Sequence, residues 1–182
     1  MVRSFEERAI PPDIVERLLA NALRGPSAGF SQGFEFLVLN GRQETARYWD
    51  VSLPPEEREG FGWPGLLRAP LLVILFAHPP TYLDRYAERD KRRDASRWRV
   101  PYWHVDAAFA TMLVLLTAVD AGLGALFFGL FRADAVRAAF GVPGDYLPVG
   151  AVAIGYPAPD RPSPSLRRGH RPPEDVVHRG RW

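Results

Sequence analysis

Helical and extended patterns take turns along the chain. Ile14, Val15, Leu18, Leu19 and Ala22 recur at helical spacing behind Pro11–Pro12, and Gly25–Pro26–Ser27 closes that segment. Proline suits a first helical turn because its missing N–H would have no partner there. Glu35–Asn40, EFLVLN, reads as a strand, after which Gly41 turns the chain. Gln43–Val51 is a short helix candidate carrying Tyr48 and Trp49, and Pro54–Leu66 is a loop around Phe61–Gly62–Trp63.

Behind Ala69–Pro70 comes Leu71–Ala77, LLVILFA, a continuous apolar run of strand length. Such a run predicts a strand covered on both faces. Pro79–Val100 is charged and irregular, with at most a short helix around Tyr82–Tyr86. Trp103–Ala121 is the longest helix, apolar on nearly every side and therefore expected at the centre. Gly122 and Gly124 stop it. Ala125–Phe128 is a short strand or extended loop, Ala133–Phe140 a helix ended by Gly141, and Pro148–Tyr156 the last core strand. Pro157–Trp182 is proline-rich yet ends in Val176, Val177 and Trp182, which predicts an extended arm that docks. No internal repeat is visible.

Composition narrows the class. With 182 residues, 47% apolar and 24% charged, the chain predicts one folded domain plus an arm. It has no cysteine, which excludes disulfides, Cys-ligated zinc, Fe–S clusters and thiol catalysis. The start, MVRSFEERAI, lacks the apolar stretch of a secretory signal. The run Ala107–Val119 is too short to span a bilayer. A cytoplasmic protein, not bound to membrane, is the expectation.

Charge refines the picture. Basic residues number 23 against 21 acidic, and Lys91 is the only lysine. Schiff-base chemistry, which needs a buried neutral lysine, is disfavoured. Asp160–Trp182 gathers Arg161, Arg167, Arg168, Arg171, Arg179 and Arg181 against three carboxylates, a place for an anion. No basic stripe with interleaved aromatics is present, so nucleic acid is not an expected partner. His78 and His178 have no partner spacing for a metal, and His104 reads as a helix-start residue.

Taken in order, the pieces resemble a family. They are R-x-F at Arg3–Phe5, the Pro11–Pro12 helix with Leu18–Leu19, the turn P-S-A-G-x-x-Q at Pro26–Gln32, and A-P before the apolar strand. They continue with D-A-A-F-A at Asp106, G-L-G-A at Gly122, F-G-V-P at Phe140, P-V-G-A-V-A-I-G-Y-P at Pro148 and R-R-G-H-R-P-P-E-D-V-V-H-R at Arg167. The chain is similar to the FMN-dependent nitroreductase-like flavoproteins over nearly its whole length, except roughly residues 43–63 and 79–101. The resemblance implies an α+β fold, a mixed β-sheet wrapped by helices. It implies an intertwined homodimer with FMN in two interface clefts. Residues 1–159 would form the FMN-binding domain, and residues 160–182 an arm crossing onto the partner subunit.

The implied activity is hydride transfer from NAD(P)H to flavin and then to an electrophilic acceptor: a nitro compound, quinone or activated alkene. The flavin performs that chemistry, so no catalytic side chain is required. The alternative is a paralogue of the same fold that binds flavin weakly and does not catalyse. The flavin-fragmenting branch's G-W-V-S segment is absent, since Ala125–Phe128 stands there.

The resemblance also assigns cofactor contacts. Arg3 would meet the phosphate or ribityl chain. Pro26, Ser27 and Ala28 would lie against the ring, and Leu126, Phe127, Phe128 and Gly129 would cover its other face, with at least one phenylalanine pointing outward. Arg168, His170 and Arg171 would grip the phosphate. Departures are specific. Two arginines that relatives carry ahead of Arg3 have no counterpart, which predicts weak FMN binding. Phe30 replaces a common asparagine, Gly33–Phe34 replaces P-W, and Gln32 is expected to brace its loop. Where some relatives place Asn and Lys toward the flavin's polar edge, this chain has Gly62 and Gly65.

Overall fold

A computed structural model describes residues 1–91, 98 and 100–182. Residues 92–97 and 99, part of the stretch expected to be irregular, lie outside the described residues. Among the described residues five α-helices and four strands follow one another as α1 (Pro12–Ala22), β1 (Phe34–Asn40), α2 (Arg42–Ser52), β2 (Leu71–Ala77), α3 (Pro79–Ala87), α4 (Tyr102–Asp120), β3 (Gly124–Phe128), α5 (Ala133–Phe140) and β4 (Leu147–Gly155).

The strands form one sheet in the order β1-β2-β4-β3, and each of its three pairings is antiparallel. The α+β expectation holds. Any parallel pairing of a mixed sheet would need a strand from beyond these four. One side chain per two residues faces each side of a strand. Leu72, Ile74 and Phe76 of β2 thus pack with Tyr48 and Trp49 of α2 and Val136 of α5. Leu71, Val73 and Leu75 pack with Leu18 and Ala22 of α1 and Val114 and Ala118 of α4. Helices cover both faces, so every residue of β2 is buried and the run LLVILFA needs no polar side.

Between β2 and β4 the register slips after Leu75, which pairs with Gly150, whereas Phe76 pairs with Pro148. The Phe127 ring lies over Gly150, where a Cβ would sit 2.3 Å from it. Only glycine admits that approach.

Helix α4 departs from the expectation of a helix enclosed all round. Its inner side buries Asp106, Ala107, Ala110, Thr111, Val114, Thr117 and Ala118. Its outer side exposes Phe109, Met112, Leu116 and Val119, at 47%, 52%, 58% and 68%. With 19 residues it is also long and apolar enough to cross a membrane by length and composition, contrary to the shorter run read from sequence. The buried side packs on α1 and the sheet, as a layer of this fold. Gly122, at φ 71°, ends the helix, and the Leu123 N–H returns to the Ala118 carbonyl at 2.8 Å.

From Pro162 onward the arm bonds only to itself among the described residues, and it is exposed almost throughout. Val176, Val177 and Trp182 are 49%, 52% and 99% exposed, so one chain does not bury the arm's apolar end.

Candidate functional site

Two separate places in the chain gather the residues singled out by sequence. The first lies where the N-terminal segment is clipped against the end of β4. The Val2 N–H donates to the Ala125 carbonyl at 3.1 Å, the Phe5 N–H to Gly65 at 3.2 Å, and the Glu6 N–H to Tyr156 at 2.9 Å. Phe5 is fully buried, and its bridge to Pro157 holds the exit of β4. These main-chain bonds set Arg3 at the rim of a cavity of about 790 Å3, lined by Arg3, Ser4, Gly60–Gly65, Arg68 and Pro159–Arg161, the carboxylate of Asp160 included.

Three arginines therefore share one cleft. The Arg3 guanidinium lies 5.0 Å from the Trp63 ring centroid and that of Arg161 4.8 Å from it. Arg161 also donates from Nη2 to the Gly62 carbonyl at 2.6 Å, and Arg68 from Nη2 to Ser4 Oγ at 3.1 Å. The one carboxylate beside them, Asp160, accepts the main-chain N–H of Arg3 and of Arg161, each at 2.8 Å. Among the described residues no guanidinium of the three has an ion-pair partner. The cleft is cationic and its flat aromatic side is Trp63. Sequence reasoning counted Arg3 alone at this end. Arg68 was missed because it lies in no quoted motif, and Arg161 was read only with the arm's arginines as a place for an anion; folding brings both to Arg3.

The second place is the turn after α1. Ser27 Oγ accepts the main-chain N–H of Gln32 at 2.8 Å, so the Ser27 side chain ties this turn together. The Ala28 N–H donates to Asp106 Oδ2 at 2.7 Å, and the Tyr82 hydroxyl donates to the same oxygen at 2.9 Å. Asp106 is 2% exposed and projects from α4. Burial first, then the hydrogen bond to Asp106 and its negative charge, push the Tyr82 hydroxyl pKa well above its usual value. Gly29, Phe30 and Gln32 all have φ near +60°, costly for the two that carry a Cβ. The Phe30 side chain is 77% exposed. Ala28 lines an aromatic cavity of about 330 Å3 with Tyr86, Trp98 and Tyr102. The positioning roles of Asp106 and Tyr82 had one visible signal, an aspartate inside an apolar helical run.

The remaining residues are dispersed. Leu126 and Phe128 face the α2–α5 side of the sheet, where Leu126 is 6% exposed and Phe128 stacks on Trp49 at 5.7 Å. Phe127 faces the α1–α4 side. Both phenylalanines are thus half-buried on opposite faces, and neither points straight outward as expected: the sheet is covered on both sides. Gly129 is exposed just beyond β3. Arg168, His170 and Arg171 sit on the arm, exposed, with Arg171 Nη2 donating to the Asp175 carbonyl at 2.8 Å. One chain brings them to neither cavity.

His78 serves another part of the fold. Its Nδ1 lies 2.6 Å from Thr81 Oγ1 and its Nε2 3.0 Å from Asp145 Oδ2, and its ring stacks on Tyr146 at 4.4 Å. The His78 contact holds the Asp145 carboxyl below its ordinary pKa. Among the described residues no group of three metal-binding side chains occurs.

The Nitroreductase family profile matches residues 1–156, and the chain belongs to that family. Its relatives include proteins with oxidoreductase names and one named a synthase. It is 25% identical to a protein of Methanothermobacter thermautotrophicus named as an NADH dehydrogenase/NAD(P)H nitroreductase, over all of this chain and 82% of that one. It is 29% identical to the 5,6-dimethylbenzimidazole synthase of Rhodospirillum rubrum, over 98% of this chain and 89% of that one. Among solved structures, a nitroreductase-family protein from Exiguobacterium sibiricum in complex with FMN superimposes with a TM-score of 0.72 at 19% identity, covering 97% of this chain and 91% of that one.

Proposed function

We propose that this chain is an FMN-dependent NAD(P)H oxidoreductase that works as a cytoplasmic homodimer and passes electrons to a nitro compound, quinone or activated alkene. The observation that carries this reading is the cleft in which Arg3, Arg68 and Arg161 meet beside the Trp63 ring. A flavin mononucleotide joins a flat ring to an anionic phosphate, and it needs a flat apolar surface together with cations. The donor set of this cleft fits that requirement, and its volume is in the range of small-molecule sites, about 300–1,000 Å3.

Bound flavin supplies the hydride chemistry, first as acceptor and then as donor, which makes the reaction ping-pong. The chain's own residues bind and orient. Arg3 meets the ribityl–phosphate part, and Arg168, His170 and Arg171 of the arm hold the phosphate. The Pro26–Ser27–Ala28 turn, fixed by Asp106, and the Phe127–Phe128–Gly129 segment flank the ring. No proton has to be moved by a side chain of this set.

Two halves of such a site stand apart in one chain, which supports assembly from two. The stripe Phe109, Met112, Leu116 and Val119 has coiled-coil-like spacing and is exposed, and the arm leaves its own body with Val176, Val177 and Trp182 uncovered. Sedimentation at micromolar concentration gives two subunits. The purified protein is yellow or becomes so with FMN, and NAD(P)H oxidation with an acceptor gives parallel double-reciprocal lines. A colourless protein that FMN does not reconstitute refutes this reading and leaves the non-catalytic paralogue.

A further inference from the structure

A cavity of about 370 Å3 lies against α2, distinct from the cationic cleft. Its volume is in the range of small-molecule sites, about 300–1,000 Å3. One wall is α2 from its start at Gly41 to Asp50, and the other is Leu67–Pro70 ahead of β2. The Gly41 N–H donates to the Pro70 carbonyl at 2.8 Å, which ties the two walls together. Much of the lining is apolar: Ala46, Leu67, Ala69 and the Trp49 side chain. The Trp49 ring is fixed by stacking on Phe128 at 5.7 Å and by an edge contact with Tyr48 at 4.9 Å.

Five charged side chains also line this cavity, and four of them cancel. Arg42 is paired with Glu7, and Arg58 Nη2 lies 2.7 Å from Asp50 Oδ1. The fifth is Arg68. Among the described residues its one acceptor is the neutral Ser4 Oγ, at 3.1 Å, and no ion pair includes it. A guanidinium carries five N–H donors in a fork that matches a carboxylate, so Arg68 keeps donors and its charge for a ligand. Trp49 holds a further buried donor, Nε1–H, that has no acceptor among the described residues. Thr45 offers none, because its Oγ1 donates to the Gly41 carbonyl at 3.2 Å.

These groups select one kind of ligand. A cation would find both carboxylates, Glu7 and Asp50, already taken. A phosphate dianion would face those two carboxylates with a single uncompensated cation. A monoanion with a flat apolar body meets the one spare charge and the apolar lining together. We propose that this cavity binds a small aromatic monocarboxylate, its carboxylate on Arg68 and its ring against Trp49 and Leu67. The proposal stands apart from the flavin reading, since nothing in it requires a cofactor.

The test titrates the full chain, with FMN in excess, by calorimetry with 2-naphthoate and with its neutral counterpart 2-naphthamide. 2-Naphthoate binds one molecule per chain, and the amide binds about tenfold more weakly because it lacks the charge-assisted contact. Arg68→Gln weakens 2-naphthoate about tenfold and leaves the amide unchanged. Arg68 also borders the cationic cleft, so a second variant separates the two places. Ala46→Phe fills the cavity from α2 without touching the cleft and abolishes binding of both probes. Positions 46 and 68 are both exposed, so neither variant disturbs the core. No binding at about 1 mM 2-naphthoate overturns the proposal. So does equal affinity for acid and amide, and so does undiminished binding in Ala46→Phe, which would put the probe in the cleft. A chain that takes up no flavin but binds 2-naphthoate in this way refutes the functional reading and leaves this proposal standing.

Discussion

The two sides of α4 invert the usual pattern of a surface helix. Its inner side carries the polar groups Asp106, Thr111 and Thr117, all under 8% exposed, and its outer side carries exposed Phe109, Met112, Leu116 and Val119. Each inner group is satisfied within the chain. Asp106 takes bonds from Ala28 and Tyr82, Thr111 Oγ1 donates to the Ala107 carbonyl at 2.7 Å, and Thr117 Oγ1 accepts from Asn21 Nδ2 at 3.1 Å. Polar groups buried in this way cost little because each has a partner. The outer side is apolar and has no such settlement in one chain. The comparison teaches that the inner side positions the 26–32 turn, whereas the outer side is the proposed subunit contact.

The largest expected effect breaks the outer side. Leu116→Glu places a charge in the centre of the proposed subunit contact and weakens association about 100-fold or more. Sedimentation then shows single subunits, while circular dichroism stays that of the folded chain because position 116 is exposed there. Loss of the fold together with the dimer would show that the two cannot be separated.

Breaking the inner side comes next. Asp106→Ala leaves the Ala28 N–H and the Tyr82 hydroxyl without their acceptor and costs about 3 kcal/mol. For a domain of this size that lowers the melting temperature by about 6–12 °C. Limited proteolysis localises the damage to residues 26–32. A change in melting temperature without new cleavage there would separate Asp106 from the turn.

Tyr82→Phe sharpens the same contact. It removes one bond to a charged acceptor and costs about 1.5 kcal/mol. It also changes the alkaline response. The folded state holds the Tyr82 proton more tightly than the unfolded chain, so its contribution is complete below the ordinary tyrosine pKa of about 10 and declines as pH rises above it. Denaturation measured up to pH 11 therefore shows a steeper decline in the wild type than in the variant.

The smallest effect has the opposite sign. Phe30→Gly relieves a residue held at φ 55° with its side chain largely in water, and raises stability by about 0.5–1 kcal/mol. A loss of stability on thermal denaturation would show that the Phe30 ring is covered in the assembled protein.

Much of the fold was legible because its signals are local. The apolar run of β2 needed no context to read as a doubly covered strand, and Gly122 and Gly141 marked the ends of α4 and α5 at or within two residues. Other features were hidden by physics that is not local. Periodicity recognises α4 as a helix but does not tell which apolar residues meet the sheet, so its exposed stripe was taken for core. Alternation puts Phe127 and Phe128 on opposite sheet faces, but that both are half-buried depends on helices covering both sides. The candidate site was legible where a turn motif fixes backbone geometry, as at Ser27 and Gln32. It was illegible where charge converges from remote segments, as with Arg3, Arg68 and Arg161.

By itself the amino-acid sequence determined the element types and the absence of thiol chemistry, because propensity, periodicity and composition act over a few residues at a time, whereas the α+β class followed from the resemblance of its ordered motifs to a family. The tertiary structure alone decided that Asp106 supports the turn 78 residues before it and that Arg161 reaches Gly62 across 99 residues. Side-chain hydrogen bonds and electrostatic fields depend on distance in space, and distance in space between such segments exists only once β2, β4 and α4 have packed.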